Sequence, residues 1–381
     1  MKNGSNKLVS IKHISNQKPV TRNSKFMRQT LSTLLLLLIF PLSQAQEKRV
    51  SLLFAGDAMQ HLPQVRAAQT KSGYNYDSCF YLLKDKISSA DIACVNFETT
   101  LGGKPYSGYP MFSSPDEFAF GLKDAGFDIF FLANNHVVDK GRRGFERTLN
   151  VLDSIGIKYT GAFKSKNTRG LNYPLMIIKN GIRIAFLNYT YDTNGLPVTA
   201  PNIVNVIDTL QMKSDLRLTL LYNPDIVIAN MHWGDEYRTF PNAEQKKLAD
   251  FLFRNGVRII IGNHPHVVQP LVTNEVNGEI ESVVYYSLGN FVSNQQKVNT
   301  DGGALAEIVI SKADDDSSVT IESCNYSLVW VRKYTKNGKL NYTLIPVEEH
   351  KKTSIPVLTP QELQKMNIFA TNADKIIGRK N

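Results

Sequence analysis

Cysteine is scarce in this chain, with three residues (Cys79, Cys94 and Cys324) in 381. They permit at most one disulfide, and no C-x-x-C pair occurs, so neither a disulfide framework nor a cysteine-built zinc site organises the fold. Cys94 lies in the apolar stretch DIACVNFE, where a small buried side chain fits. A G-x-x-x-x-G-K-[ST] loop is also missing, which argues against a nucleotide-driven synthetase, so any polymer synthesis depends on other proteins. No aromatic-basic repeat marks a nucleic-acid binder, and nucleic acid is excluded as a partner.

Acidic residues are absent from the first 45 positions, which hold seven of the 44 Lys and Arg. After these basic residues comes LSTLLLLLIFPLSQA, an apolar stretch with a small-residue site ending at Ala45, the pattern of a secretory signal. Its apolar run, Leu34 to Phe40, is too short to cross a bilayer. No cysteine follows the site, which argues against a lipid anchor. The expectation is an exported protein of the periplasm, cell envelope or medium that starts near Gln46. Met27, just before Arg28, is a candidate true start. Without the leader the net charge drops from +10 to +3, so most of the basicity belongs to the leader.

What remains is a globular composition, 42% hydrophobic and 20% charged. Its most informative feature is how the apolar runs end. RVSLLFAGD closes in Gly56 and Asp57, DIACVNFE in Asn96 and Glu98, FDIFFLANNH in Asn134, Asn135 and His136, DIVIANMHWGDEY in His232 and Glu236, and RIIIGNHPHVVQP in His264 and His266. In the last of these, Gly262 is expected to release the strand into a turn. Helix-period segments lie between them at Asp77 to Ser89, Pro115 to Ala125, Arg142 to Ile155, Asp208 to Tyr222 and Asn242 to Asn255. Alternating strand and helix implies a largely parallel sheet whose carboxyl ends share one edge. Five polar endings then converge, and they carry four of the six histidines that follow the leader. A metal centre is the leading interpretation of that convergence, and a polar cleft without metal is the other.

Asn180-Gly181 and Asn277-Gly278 mark hairpins. The later runs GALAEIVIS, VTIESCNYSLVWV and NYTLIPV are expected to form a second sheet packed on the first, with a hairpin tip at Asp314 to Asp316. The expected organisation is a signal over 1–45, one domain over 46–356, and a peripheral helical tail over 357–381.

The ordered motifs AGDAM, NFE, LANNHVVDKG, HWGDEY, GNHPHVVQP and YSLGNF resemble the capsule-synthesis CapA family, associated with poly-γ-glutamate capsules, over about residues 50 to 300. That family in turn resembles calcineurin-type metallophosphoesterases, which implies a four-layer α/β/β/α sandwich with mixed sheets and a centre for one or two divalent metal ions. By this resemblance Asp57 and His266 serve the first ion, Glu98 bridges, and Asn135, His232 and His264 hold the second, with His136 as the general acid. Two departures stand out. Met59 occupies the place of a histidine ligand, and Asn263 separates the glycine of the closing motif from its first histidine. His61 is near enough in sequence to substitute for the missing ligand, but its expected place is a surface loop.

Several residues near these motifs have two readings each. Asn96, two residues before Glu98 on an extended strand, shares its face and is a supporting or ligand group. Glu236 is an acid that orients a ligand or is merely solvated. Trp233 is a packing residue or a substrate platform, and Asp139 and Gly141 shape a turn. Arg142 and Arg238, like Lys140 and Arg143, follow the motifs directly and are candidates to bind an anionic substrate. Imidazole and carboxylate ligands suit zinc, manganese or iron. The leading function is an exported metal-dependent hydrolase of an anionic envelope or capsule polymer, cleaving a phosphoester or a γ-glutamyl amide with a metal-activated water. The alternative is a non-catalytic accessory that binds the polymer alongside membrane-associated capsule-synthesis proteins.

Overall fold

The computed structural model of the protein describes residues 48–313, 318–336, 338–349 and 356–378. The expected leader and the hairpin tip at 314–316 lie outside them. Among the described residues one mixed sheet of 14 strands carries the fold. From edge to edge eleven of them run Lys158–Thr160, Ile129–Phe131, Ile92–Phe97, Lys48–Ala58, Gly302–Lys312, Thr320–Lys336, Glu279–Tyr285, Ile259–Asn263, Ile226–His232, Ile182–Thr190 and Leu175–Lys179, and Leu271–Val276, Asn290–Val292 and Lys339–Pro346 pair off this path.

Apart from the antiparallel edge strand Leu175–Lys179, the two wings of this sheet are built on parallel strands. Lys48–Ala58 pairs with Ile92–Phe97, which pairs with Ile129–Phe131. On the other wing Ile182–Thr190, Ile226–His232, Ile259–Asn263 and Glu279–Tyr285 run side by side. The long strands from 302 onward join the wings: Gly302–Lys312 adds antiparallel to Lys48–Ala58, and Thr320–Lys336 pairs with Glu279–Tyr285 only at Ile280 and Ile321. The expected separate second sheet is therefore a correction. Those strands close one sheet that doubles over at its weakest pairing, so both wings belong to it.

Period-two alternation sorts the side chains into layers. Leu52 and Phe54 face an inner core shared with Ile184, Phe186, Ile259 and Ile261, while Leu53 and Ala55 face an outer one. Phe131 and Phe186, from opposite wings, meet with ring centroids 6.2 Å apart. The helices Asp116–Asp124 and Gly141–Ser154 cover one outer face, through Phe118, Leu122, Phe145 and Leu149. Thr209–Leu221 and Ala243–Arg254 cover the other, through Met212, Leu216, Leu248 and Leu252. The expected α/β/β/α layering is present.

The expected helices appear within a residue or two of their limits, except that 77–89 breaks into Asp77–Phe80 and Lys84–Ser88. Both Asn-Gly turns form, with Asn180, Gly181, Asn277 and Gly278 all at positive φ as a two-residue hairpin loop of this type requires. The helix Pro360–Ile377 is not peripheral. Met366, Phe369, Ala373, Ile376 and Ile377 are buried in the inner core, with Phe369 against Gly302.

Candidate metal centre

Because both wings present their carboxyl ends together, the polar strand endings meet. Asp57 stands where the pairing of its strand with Ile92–Phe97 slips between Ala55 and Asp57. A Cβ on Gly56 would lie 2.0 Å from the Gly289 carbonyl oxygen, so only glycine admits the Ser287–Asn290 segment, and the Asp57 N–H donates to that carbonyl at 2.9 Å. This close approach gives the YSLGNF motif its role. The strand Ile259–Asn263 continues through Gly262, which serves the close approach of the Tyr286 carbonyl rather than a turn. The turn falls one residue later, with His264 at φ 97° and His266 at φ 58°. Left-handed backbone at two non-glycine residues costs free energy and commonly marks a functional site.

The turn wraps Asp57. The His264 N–H lies 3.3 Å from Asp57 Oδ2, and His266 Nδ1 lies 3.0 Å from the same oxygen. Asn96 Nδ2 donates to Asp57 Oδ1 at 2.8 Å and lies 3.4 Å from Glu98 Oε2. His232 Nε2 is 2.9 Å from Asn135 Oδ1 and 3.7 Å from Glu98 Oε1, and His266 Nε2 is 3.9 Å from that same oxygen. All six residues expected as ligands, and Asn96, are buried.

Two groups have potential ligand atoms mutually within 4.8 Å: Asp57, Glu98 and His232, and Glu98, His264 and His266. Glu98 belongs to both, as a bridging carboxylate must. The grouping differs from the one the resemblance implies, since Asp57 falls with His232, and His264 with His266.

The fit to a cation is testable on the free valences. Glu98 Oε1 and His264 Nδ1 are buried with no hydrogen-bond partner. Leaving such atoms bare costs about 1–3 kcal/mol each, more for a charged group, and a cation would remove that cost. Burial, reinforced by the Asp57 charge, pushes the Glu98 carboxyl well above the usual carboxylate range. Burial, together with neighbouring imidazoles, pushes His232 and His264 well below the usual histidine value. Neutral imidazoles keep the lone pair that coordination needs. These residues fit a divalent metal.

His136 is buried beside this group with its Nδ1 2.8 Å from Asp139 Oδ2. The same oxygen accepts the Phe112 N–H at 2.7 Å. Asp139 is therefore more than a turn former, because it holds the His136 ring with Nδ1 as the donor and leaves Nε2 free of that contact. Phe112 packs edge-on against His136 on one side and His61 on the other, with centroids 4.6 and 5.2 Å away. His61 is thus not a surface-loop residue. It sits half-buried at the start of the helix Leu62–Ala68, receives the Asn294 N–H on Nδ1 at 3.3 Å, and is held down to about 4 chiefly by burial.

Two tyrosines escape a reading of the sequence alone. Tyr191 packs on His264 with centroids 4.4 Å apart, and Tyr237, at φ 66°, faces His266 at 6.1 Å. Glu236 is exposed next to Tyr237, and its charge reaches Glu98. Trp233 is a packing residue, buried with its indole N–H on the Tyr286 carbonyl at 3.0 Å. Arg142 pairs with Glu146 at 2.8 Å and donates to the Ala200 carbonyl at 3.3 Å. Arg238 has an exposed side chain on the loop after His232, and its carbonyl accepts from Gln269 at 2.8 Å.

Comparison with known proteins bears on this arrangement. A family profile described as "Bacterial capsule synthesis protein PGA_cap" matches residues 51–295. "Capsule biosynthesis protein CapA" of Bacillus anthracis is 27% identical over 286 residues, covering 71% of this chain and 66% of that protein. "PGA biosynthesis protein CapA" of Bacillus subtilis is 28% identical over 334 residues, covering 84% of this chain and 77% of that one. Among solved structures, a calcineurin-like phosphoesterase of Bacillus subtilis aligns at TM-score 0.43 and 12% identity, covering 86% of this chain and 98% of that one. The NAD nucleotidase of Haemophilus influenzae aligns at TM-score 0.48 and 13% identity, covering 87% and 64%.

Proposed function

Since the chain belongs to the bacterial capsule synthesis protein family, we propose that it is an exported metal-dependent hydrolase of an anionic capsule or envelope polymer such as poly-γ-glutamate. The observation that carries this reading is the buried Glu98 Oε1 and His264 Nδ1, both without partners, inside a cluster of three histidines and two carboxylates. Asp57, Glu98, His232, His264 and His266 would hold one or two ions of zinc, manganese or iron, with Asn135 completing the set. Such an ion, when bound, polarises the scissile group and lowers the pKa of water toward neutrality.

The rest falls to the chain's own groups. Asp139 holds Nδ1 of His136, so Nε2 is the atom that delivers a proton to the leaving group. Tyr191 fixes the plane of His264 by packing against it. Arg238, exposed after His232, meets an anionic substrate at the rim, and Arg142 braces the Ala200 loop as well as adding charge. The leader pattern over residues 1–45 supports export, and the family membership supports a capsule polymer. The non-catalytic reading rests on Met59, which is buried and offers no nitrogen ligand.

The deciding experiment assays the purified chain, with measured metal content, on phosphodiester and γ-glutamyl oligomers. Turnover that disappears on chelation and returns with metal is expected. A metal-loaded protein that cleaves neither class, yet restores capsule production in a deletion strain, would establish the accessory role.

A further inference from the structure

Positive charge also collects at the start of the helix that carries Arg142. Lys104, Lys140, Arg143 and Arg147 line a cleft of about 470 Å³ between the loop 102–106 and the start of the helix Gly141–Ser154. Arg147 is already engaged, since its guanidinium grips Asp116 through two contacts of 2.6 and 2.7 Å. Among the described residues Lys104, Lys140 and Arg143 have no carboxylate partner. Three uncompensated cations around one concavity create a positive potential that attracts anions.

Lys140 is also held in place. A Cβ built on Gly102 would sit 2.6 Å from Lys140 Cγ, and one on Gly144 would sit 2.2 Å from Lys140 Cβ. The base of the lysine stem therefore runs between two glycines that leave room for no side chain of their own, which fixes where the stem leaves the backbone. Lys140 directly follows Asp139, which holds His136, so one turn of chain supplies both the residue that orients His136 and a cation of the cleft. The helix start divides its charges: Arg142 is tied to Glu146 and the Ala200 carbonyl, while Lys140 and Arg143 turn to the cleft.

We propose that this cleft is a subsite for the carboxylates of a polyanionic chain, holding the units next to the scissile one. Two of the three free cations are ammonium groups at separate positions. That suits single negative charges repeated along a chain better than one phosphate dianion, which favours a convergent guanidinium fork. The identity of the ligand rests on the proposed polymer substrate, whereas the existence of an anion subsite rests on the cleft alone.

The test uses the full chain and a fluorescent γ-glutamate oligomer, followed by anisotropy. Substituting Lys104→Gln, Lys140→Gln and Arg143→Gln together should weaken binding at least about tenfold, with melting temperature and metal content unchanged. Gly144→Ala keeps every charge but displaces Lys140, and should also weaken binding. Unchanged affinity in the triple variant overturns the subsite, as does a wild type that binds neither the oligomer nor inorganic polyphosphate, whereas a wild type that binds polyphosphate alone overturns the carboxylate assignment. Inorganic polyphosphate competing as strongly as the oligomer overturns the carboxylate assignment. Metal-stripped wild type should still bind. A protein that binds through the cleft and never turns over keeps the subsite and removes the hydrolase reading.

Discussion

Replacing Asp139 by asparagine changes one atom in the most constrained part of the site. The carboxylate oxygen Oδ2 accepts two donors, the Phe112 N–H at 2.7 Å and His136 Nδ1 at 2.8 Å, in a region closed to solvent. An amide whose oxygen takes the Oδ2 place accepts both donors but carries no charge, and its NH2 falls where Asp139 Oδ1 is buried without a partner. In the flipped orientation the NH2 faces both donors, so the Phe112 N–H loses its acceptor and His136 must move its proton from Nδ1 to Nε2. Either way a buried polar group is left unpaired, at a cost of about 1–3 kcal/mol. The expected loss of stability therefore lies in that range, read by chemical denaturation, and the metal content should stay the same because Asp139 is outside both candidate ligand groups. Turnover should fall by up to the contribution of a general acid, about a hundredfold to ten-thousandfold, because a neutral amide no longer stabilises the protonated His136 ring. Nitrogen-15 NMR of the His136 ring reports the tautomer directly. Turnover within twofold of wild type, with either tautomer, would refute the assignment of His136 as the acid.

Two further outcomes follow from the framework. Phe369 closes the inner core against Gly302, and Phe369→Ala should cost about 3–5 kcal/mol in denaturant unfolding; a change under about 1 kcal/mol would show that the helix Pro360–Ile377 is an appendage after all. Burial alone would raise the Asp225 carboxyl, but hydrogen bonds from Arg183 and Lys312 outweigh it and hold the group below the usual carboxylate range. Its contribution is present above the unfolded carboxylate pKa and is lost as pH falls through the lower folded value. Asp225→Asn should therefore flatten the acid limb of the stability profile, and an unaltered limb in pH-dependent melting would contradict this.

Much of the site is legible in the sequence because it is built at strand ends. Apolar runs that stop abruptly at Asp57, Glu98, Asn135, His232 and His264 need only a parallel crossover topology to bring those residues together. That one sheet folds over itself is not legible, because the pairing of Thr320–Lys336 with Glu279–Tyr285 rests on one residue pair and leaves no trace in periodicity. The roles of Asp139 and His61 are hidden for a related reason. Both depend on Phe112, which is distant in sequence and reaches them through a loop, and only three-dimensional packing sets Phe112 between the His61 and His136 rings. Gly262 reads as a turn because glycine often ends a strand. Its actual constraint, the Tyr286 carbonyl at its Cα, comes from another part of the chain.

The central claim is that the buried His-carboxylate cluster holds a divalent metal. Elemental analysis of the purified wild type, beside Glu98→Gln and His264→Ala, tests it most directly, with circular dichroism to establish folding. One or two ions per chain are expected in the wild type and clearly fewer in both folded variants. A wild type that takes up no zinc, manganese or iron when these are supplied, or variants that keep the full complement, would contradict the account.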